Sequence, residues 1–213
     1  MAVSAKICGV STPEAIRAAL AGGAAYLGFA FIEASPRRLP IEAAARLAEA
    51  VRGRAKIVAV AVDPTDGDVD RIAEGLRPDF IQLHGRETPA RARAVAARSG
   101  AGVIKALPVA EPADLEAAAD YEAVAEHLMF DAKPPKDAER AGGLGAPFDW
   151  SLLAGRAFRR PWFLAGGLNP WNVAEAVQRS GAPMVDVSSG VERGPGLKDP
   201  ALITAFLDAA RKA

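Results

Sequence analysis

Cysteine is almost absent from this 213-residue chain, with Cys8 its only thiol. One thiol excludes an internal disulfide framework and fits a reducing cytoplasm. Histidine is nearly as scarce, at two residues, and no close ligand spacing joins either one to Cys8, which argues against a structural metal site. Neither sign of charge is in excess: 26 Lys and Arg stand against 26 Asp and Glu. That balance gives no electrostatic reason to expect nucleic acid or an anionic membrane surface, so an anionic ligand needs a local site. No apolar run is long enough to span a bilayer. The start, MAVSAKICGV, lacks both the basic and the long apolar region of a secretion signal. The expectation is a cytoplasmic protein without nucleic-acid or membrane partners. Linkers and low-complexity tracts are missing too, which predicts one domain over residues 1–213.

What the chain does have is apolar residues, at 50%, gathered in short runs. Eight runs read as strands, at 5–10, 26–31, 56–62, 80–83, 102–107, 127–130, 163–165 and 184–187. They are nearly continuous in hydrophobicity, as parallel strands buried on both faces should be. Helical segments alternate with them. Thr12 and Pro13 open a helix to about Ala21, and Ile41, Ala44, Leu47 and Val51 share one side of another at 41–51. Further helices are expected at 66–75, 88–99, 112–119 and 149–153, from Asn169 as N-cap with Pro170 as first residue, and from Asp199–Pro200 to about Arg211. Eight strands alternating with eight helical segments predict a (β/α)8 TIM barrel. A doubly wound sheet is the alternative, and it would need a glycine-rich phosphate turn after the first strand that Lys6-Ile7-Cys8-Gly9 does not supply.

In such a barrel the strand ends and the loops after them form the active face. Cys8, Arg37, His84 and Asp131 all fall there, and so do Gly166-Gly167 and Ser188-Ser189-Gly190. Each has a plain reading: a small buried thiol, solvated loop charge, a hydrogen-bonded strand end, a helix cap. The two glycine-ended strands together point several N–H groups at one spot, which suits phosphate. Asp186 lies within a strand and is expected to bond neighbouring loop donors. The long segment 133–147, rich in Pro, Gly and charge, is expected to be a lid.

The order of motifs resembles the phosphoribosylanthranilate isomerase family of tryptophan biosynthesis. Its pieces are Lys6-Ile7-Cys8-Gly9, Gly28-Phe29-Ala30-Phe31 leading to Ser35-Pro36-Arg37, Gln82-Leu83-His84-Gly85, Gly142-Gly143-Leu144-Gly145, Leu164-Ala165-Gly166-Gly167-Leu168-Asn169-Pro170, and Asp186-Val187-Ser188-Ser189-Gly190-Val191-Glu192. Leu144 stands where the family commonly has threonine. The resemblance implies an Amadori rearrangement of N-(5-phosphoribosyl)anthranilate without a cofactor. It implies Asp131 as general acid and Cys8 as general base, its thiol pKa lowered from about 8.5 toward neutrality. Arg37 would face the anthranilate carboxylate, with His84 and Gly145 also binding substrate. Gly166, Gly167, Ser188, Ser189 and Gly190 would hold the phosphate, on the side of the mouth opposite Arg37. The partner is a small sugar phosphate, and the protein a monomer or homodimer. A related isomerase of histidine biosynthesis fits less well, because Asp63-Pro64-Thr65 follows strand three instead of a second glycine-rich grip. A non-catalytic sugar-phosphate-binding barrel would lack the acid and base that this chain retains.

Overall fold

The computed structural model describes residues 3–133 and 148–213. Eight parallel strands close on themselves in chain order: β1 Ser4–Cys8, β2 Tyr26–Ala30, β3 Lys56–Ala61, β4 Phe80–Leu83, β5 Gly102–Val109, β6 His127–Ala132, β7 Trp162–Leu164 and β8 Met184–Val187. β1 pairs with β8 on one side and β2 on the other, setting Lys6 opposite both Asp186 and Tyr26, and Cys8 opposite Gly28. The predicted TIM barrel is therefore the observed fold.

Alternation along the strands sorts side chains between two cores. Ile7, Leu27, Ile57, Ile81, Val103, Leu128, Leu164 and Val185 face the outer helices and are fully buried or nearly so. Val58, Val60, Ile104, Ala106, Met129, Phe163, Ala165 and Met184 fill the barrel's inside. Tyr26, Phe80, His127 and Phe163 plug its floor, with Tyr26 and Phe163 edge to face at 5.1 Å and Phe80 and His127 at 5.0 Å. The opposite end is left for polar side chains.

The helices are α1 Pro13–Ala21, α2 Ile41–Ala48, α3 Asp66–Leu76, α4 Pro89–Ser99, α5 Ala118–Tyr121, α6 Val173–Ser180 and α7 Pro200–Arg211. Thr12, Thr65, Thr88 and Asp199 cap α1, α3, α4 and α7 through side-chain oxygens, the local reason these helices start where they do. The expected helix after β5 is mostly a 3-10 turn, Pro112–Ala117, and a second 3-10 turn, Trp150–Leu153, precedes β7. α6 starts later than expected. The Asn169 carboxamide oxygen accepts from the backbone N–H groups of Trp171 and Asn172 at 2.9 and 3.1 Å, closing a turn of its own. Asn172 becomes the N-cap, and Pro170 sits in that turn and not in the helix. β1 likewise stops at Cys8 because Gly9 turns out with φ +73°, its N–H and that of Val10 both donating to the Gly28 carbonyl. Among the described residues no helix is long and apolar enough to cross a membrane.

Candidate active site

The barrel's closure turns scattered sequence positions into one arc. Around the rim, β6, β7, β8 and β1 are neighbours, so Asp131, Gly166–Gly167, Ser188–Gly190 and Cys8 follow one another. At one end of that arc, Cys8 is half-buried above a fully buried Lys6, two residues down the same inward face. The Lys6 ammonium donates to Asp186 Oδ1 at 2.7 Å across the β1–β8 register. Asp186 therefore serves a buried lysine and not loop donors as expected. Gly28 leaves room for this cluster, since a Cβ there would lie 3.1 Å from Cys8 Sγ and 3.3 Å from Lys6 Nζ.

The charges compete at the thiol. Burial pushes Cys8 up, and so does the Asp186 carboxylate; the Lys6 and Lys198 ammoniums pull it down without overcoming burial. The resting thiol thus sits above its ordinary range, contrary to the expected fall toward neutrality. For Lys6, burial favours the neutral amine, and Asp186 and Cys8 more than reverse it, so the ammonium is held above its usual value. Such a thiol gains its thiolate only as pH rises. We therefore expect the rate at which Cys8 is alkylated, which reports the thiolate alone, to climb with pH on into the alkaline range above the ordinary thiol pKa. An alkylation rate already flat from pH 7 to 9 (roughly bracketing an ordinary thiol) would contradict the upward shift.

At the other end of the arc, Asp131 Oδ2 lies 2.9 Å from His84 Nε2, and Oδ1 accepts from the Ala132 N–H at 2.9 Å. His84 Nδ1 is in turn 2.8 Å from Gln82 Nε2. The carboxyl is partly exposed at the mouth, so an incoming group can reach it. Gly166, with φ +85°, lets the next loop close on this pair, because a Cβ there would meet Asp131 Oδ1 at 2.9 Å and Ala132 N at 2.4 Å.

Between the two ends, the backbone N–H groups of Gly166, Gly167, Ser189 and Gly190 have no hydrogen-bond partner among the described residues. A Cβ on Gly190 would strike the Leu168 carbonyl oxygen at 1.9 Å, so only glycine lets the β7 and β8 loops meet. The arrangement gathers backbone donors from two neighbouring loops, which suits an oxyanion. The Ser188 hydroxyl turns to the Cys8 end of the arc, donating to the Cys8 carbonyl at 3.3 Å.

Arg37 is brought to the same neighbourhood, its stem crossing Gly9 beside Cys8. Its Nε and Nη2 donate to the two oxygens of Glu192 at 2.7 and 2.8 Å. Glu192 also accepts from Lys198 Nζ at 2.6 Å, and Lys198 donates to the Ser188 carbonyl at 2.9 Å. Burial lowers the Lys198 pKa despite Glu192. Burial also acts to raise Glu192, but Arg37 and Lys198 together hold it below the usual carboxylate range. Arg37 is thus tied to the short hairpin after β8, β9 Glu192–Gly194 with β10 Leu197–Lys198, and is not across the mouth from the grip as expected. Gly145, Leu144 and nearly all of the expected lid lie outside the described residues.

Sequence reasoning passed over Lys6, Gln82, Glu192 and Lys198 as functional positions. The signal for Lys6 was present: a lysine at the inward parity of Cys8 within an apolar run, matched by an aspartate in another. Glu192 and Lys198 carried no such sign, since their burial depends on a hairpin folding back.

The family model described as N-(5′-phosphoribosyl)anthranilate isomerase matches residues 5–209. The protein of that name from Caulobacter vibrioides is 62% identical, over 98% of this chain and 96% of its own. The crystal structure of phosphoribosyl anthranilate isomerase from Thermotoga maritima superposes with a TM-score of 0.88 at 35% identity, covering 99% of this chain and 100% of that one. A further structure of the enzyme, in complex with reduced 1-(o-carboxyphenylamino)-1-deoxyribulose 5-phosphate, gives a TM-score of 0.84 at 33% identity, covering 99% and 100%. With an acid candidate, a base candidate and an anion cradle on one rim, and a match along nearly its whole length, this chain belongs to the N-(5′-phosphoribosyl)anthranilate isomerase family.

Proposed function

We propose that the rim arc carries out the family's rearrangement with Asp131 as acid, Cys8 as base and the β7–β8 loops as phosphate grip. The observation that carries this reading is the placing of unpaired backbone donors between a carboxyl and a thiol. A phosphate held there sets the attached ribose between the two reacting groups. Asp131 gives its proton to the ring oxygen as the C1′–O bond breaks, and the anilino nitrogen's lone pair forms the Schiff base. Cys8, as thiolate, takes the C2′ proton, and that electron pair makes the C1′=C2′ bond of the enol. The enol then collapses to the ketone, losing its hydroxyl proton and gaining one at C1′. Protons and electron pairs move within one molecule, so no redox partner is consumed. The ligand of the related complex carries both a phosphate and a carboxyphenyl group, which supports two separate anchors. Arg37 is the second, meeting the anthranilate carboxylate through the edge of its guanidinium that Glu192 leaves open. A thiol base also suits a reducing compartment such as the cytoplasm. Loss of anthranilate-type fluorescence when the purified protein meets phosphoribosylanthranilate tests the reading, and persistence of the signal would refute it.

The two anchors separate experimentally. Gly167 has φ +69°, so Gly167→Val strains the loop and blocks close backbone approach, and inhibition by inorganic phosphate is expected to be lost. Arg37→Ala leaves Glu192 paired with Lys198 and keeps phosphate inhibition, while kcat/KM falls by the equivalent of about 1.5–3 kcal/mol, the scale of a hydrogen bond to a charged group. Equal loss of phosphate inhibition in both variants would put Arg37 in the phosphate site.

A further inference from the structure

The polar side chains behind Asp131 do more than fill space. Gln82 lies on the inward face of β4, 1% exposed, within an otherwise apolar stretch of barrel interior. Its amide nitrogen faces His84 Nδ1, yet its amide oxygen is buried with no partner. Buried polar atoms are normally satisfied, so a lone acceptor one amide turn away from an imidazole nitrogen calls for a reason.

We propose that Gln82 is a positioning residue whose amide turns to match the protonation of the His84–Asp131 pair. This rests on reading Asp131 as the acid. With the NH2 group on Nδ1, that nitrogen carries no hydrogen, so the neutral ring holds its proton on Nε2 and donates it to an Asp131 carboxylate. An acid needs one proton more. That proton leaves Nδ1 as N–H, with Asp131 Oδ2–H now donating to Nε2. A half-turn of the amide presents Oε1 to the new Nδ1–H. The pair loses one proton when Asp131 protonates the ring oxygen and regains one as the C2′ hydroxyl becomes the ketone. The unpartnered oxygen of the resting structure is the acceptor this second state needs.

Other charged groups on adjoining elements are already paired. Lys105 and Glu87 form a closed ion pair under the His84–Gly85 turn, Lys105 also donating to the Leu83 and Gly85 carbonyls. The Asp63 carboxylate after β3 accepts from the Arg86 N–H, Lys133 after β6 holds Asp114, and Lys6 holds Asp186. None of them touches the Gln82 amide, so its substitution reads out on the pair itself.

Two variants test this. Gln82→Met fills the space without hydrogen-bonding Nδ1, which disfavours the protonated pair. The alkaline limb of the kcat–pH profile should move to lower pH and kcat fall about tenfold, short of the roughly 10²-fold loss of the acid itself, with KM unchanged. Gln82→Glu, in its ionised form, offers only acceptors to Nδ1 and should move the limb to higher pH. Imidazole nitrogen NMR, simple with two histidines in the chain, should show His84 protonated at Nε2 in the resting parent and at Nδ1 in Gln82→Glu. Parental limbs and an unchanged tautomer in both variants would overturn the proposal. The tautomer readout needs no turnover, so it stands even if Asp131→Asn proves that residue not to be the acid.

Discussion

Cys8→Ser is expected to keep the barrel and its substrate affinity while kcat falls by about 10²-fold or more, the usual scale for losing a general acid or base. The hydroxyl is close in size to the thiol, and the Lys6–Asp186 pair beneath it keeps its 2.7 Å contact. What disappears is ionisability, because a serine hydroxyl does not form an alkoxide at any pH the protein survives, whereas even an upward-shifted thiol does. KM should stay near the parent's, since neither anchor involves the sulfur. Steady-state kinetics at several pH values checks this. A serine variant that turned over at the parental rate would remove Cys8 from the chemistry.

Asp131→Asn should be as damaging for the complementary reason. The carboxamide still receives the Ala132 N–H and meets His84, so the β6 end and its neighbours hold their places. It has no acidic proton to give as the ring opens, and kcat should drop by about 10²-fold, again with little change in KM. The two variants fail at different steps. A substrate analogue supplied with the ring already open should partly rescue Asp131→Asn and leave Cys8→Ser inactive. Rescue of neither, or of both alike, would mean the steps are wrongly divided between the two residues.

The fold was legible because its signal is repeated. Strands at 56–61, 80–83 and 184–187 are short and mostly apolar, and threonine or aspartate stands at the starts of α1, α3, α4 and α7. The misplaced start of α6 shows the limit of that reasoning: Asn169-Pro170 fits a cap in sequence, but an Asx turn satisfied the same oxygen three residues early. The strand-end residues of the site were legible by position along the barrel. Their partners were not. Arg37 looked free for a ligand until Glu192, 155 positions later, was found to hold its guanidinium. The family resemblance implied a lowered pKa for Cys8, but burial dominates and Asp186 works against the pull of Lys6. Both errors come from charge balances between elements far apart in sequence, which periodicity and motif spacing do not encode.

The central claim is that one thiol does the proton abstraction, and the chain's single cysteine allows it to be tested without mutation. Turnover of phosphoribosylanthranilate should be followed by fluorescence while Cys8 is capped stoichiometrically with a small methylthiolating reagent, and again after the cap is removed by reduction. Activity should fall in proportion to the fraction of thiol capped, reach a residue of about a hundredth or less, and return on reduction. Fully capped protein that still isomerises substrate at the parental rate would contradict the account.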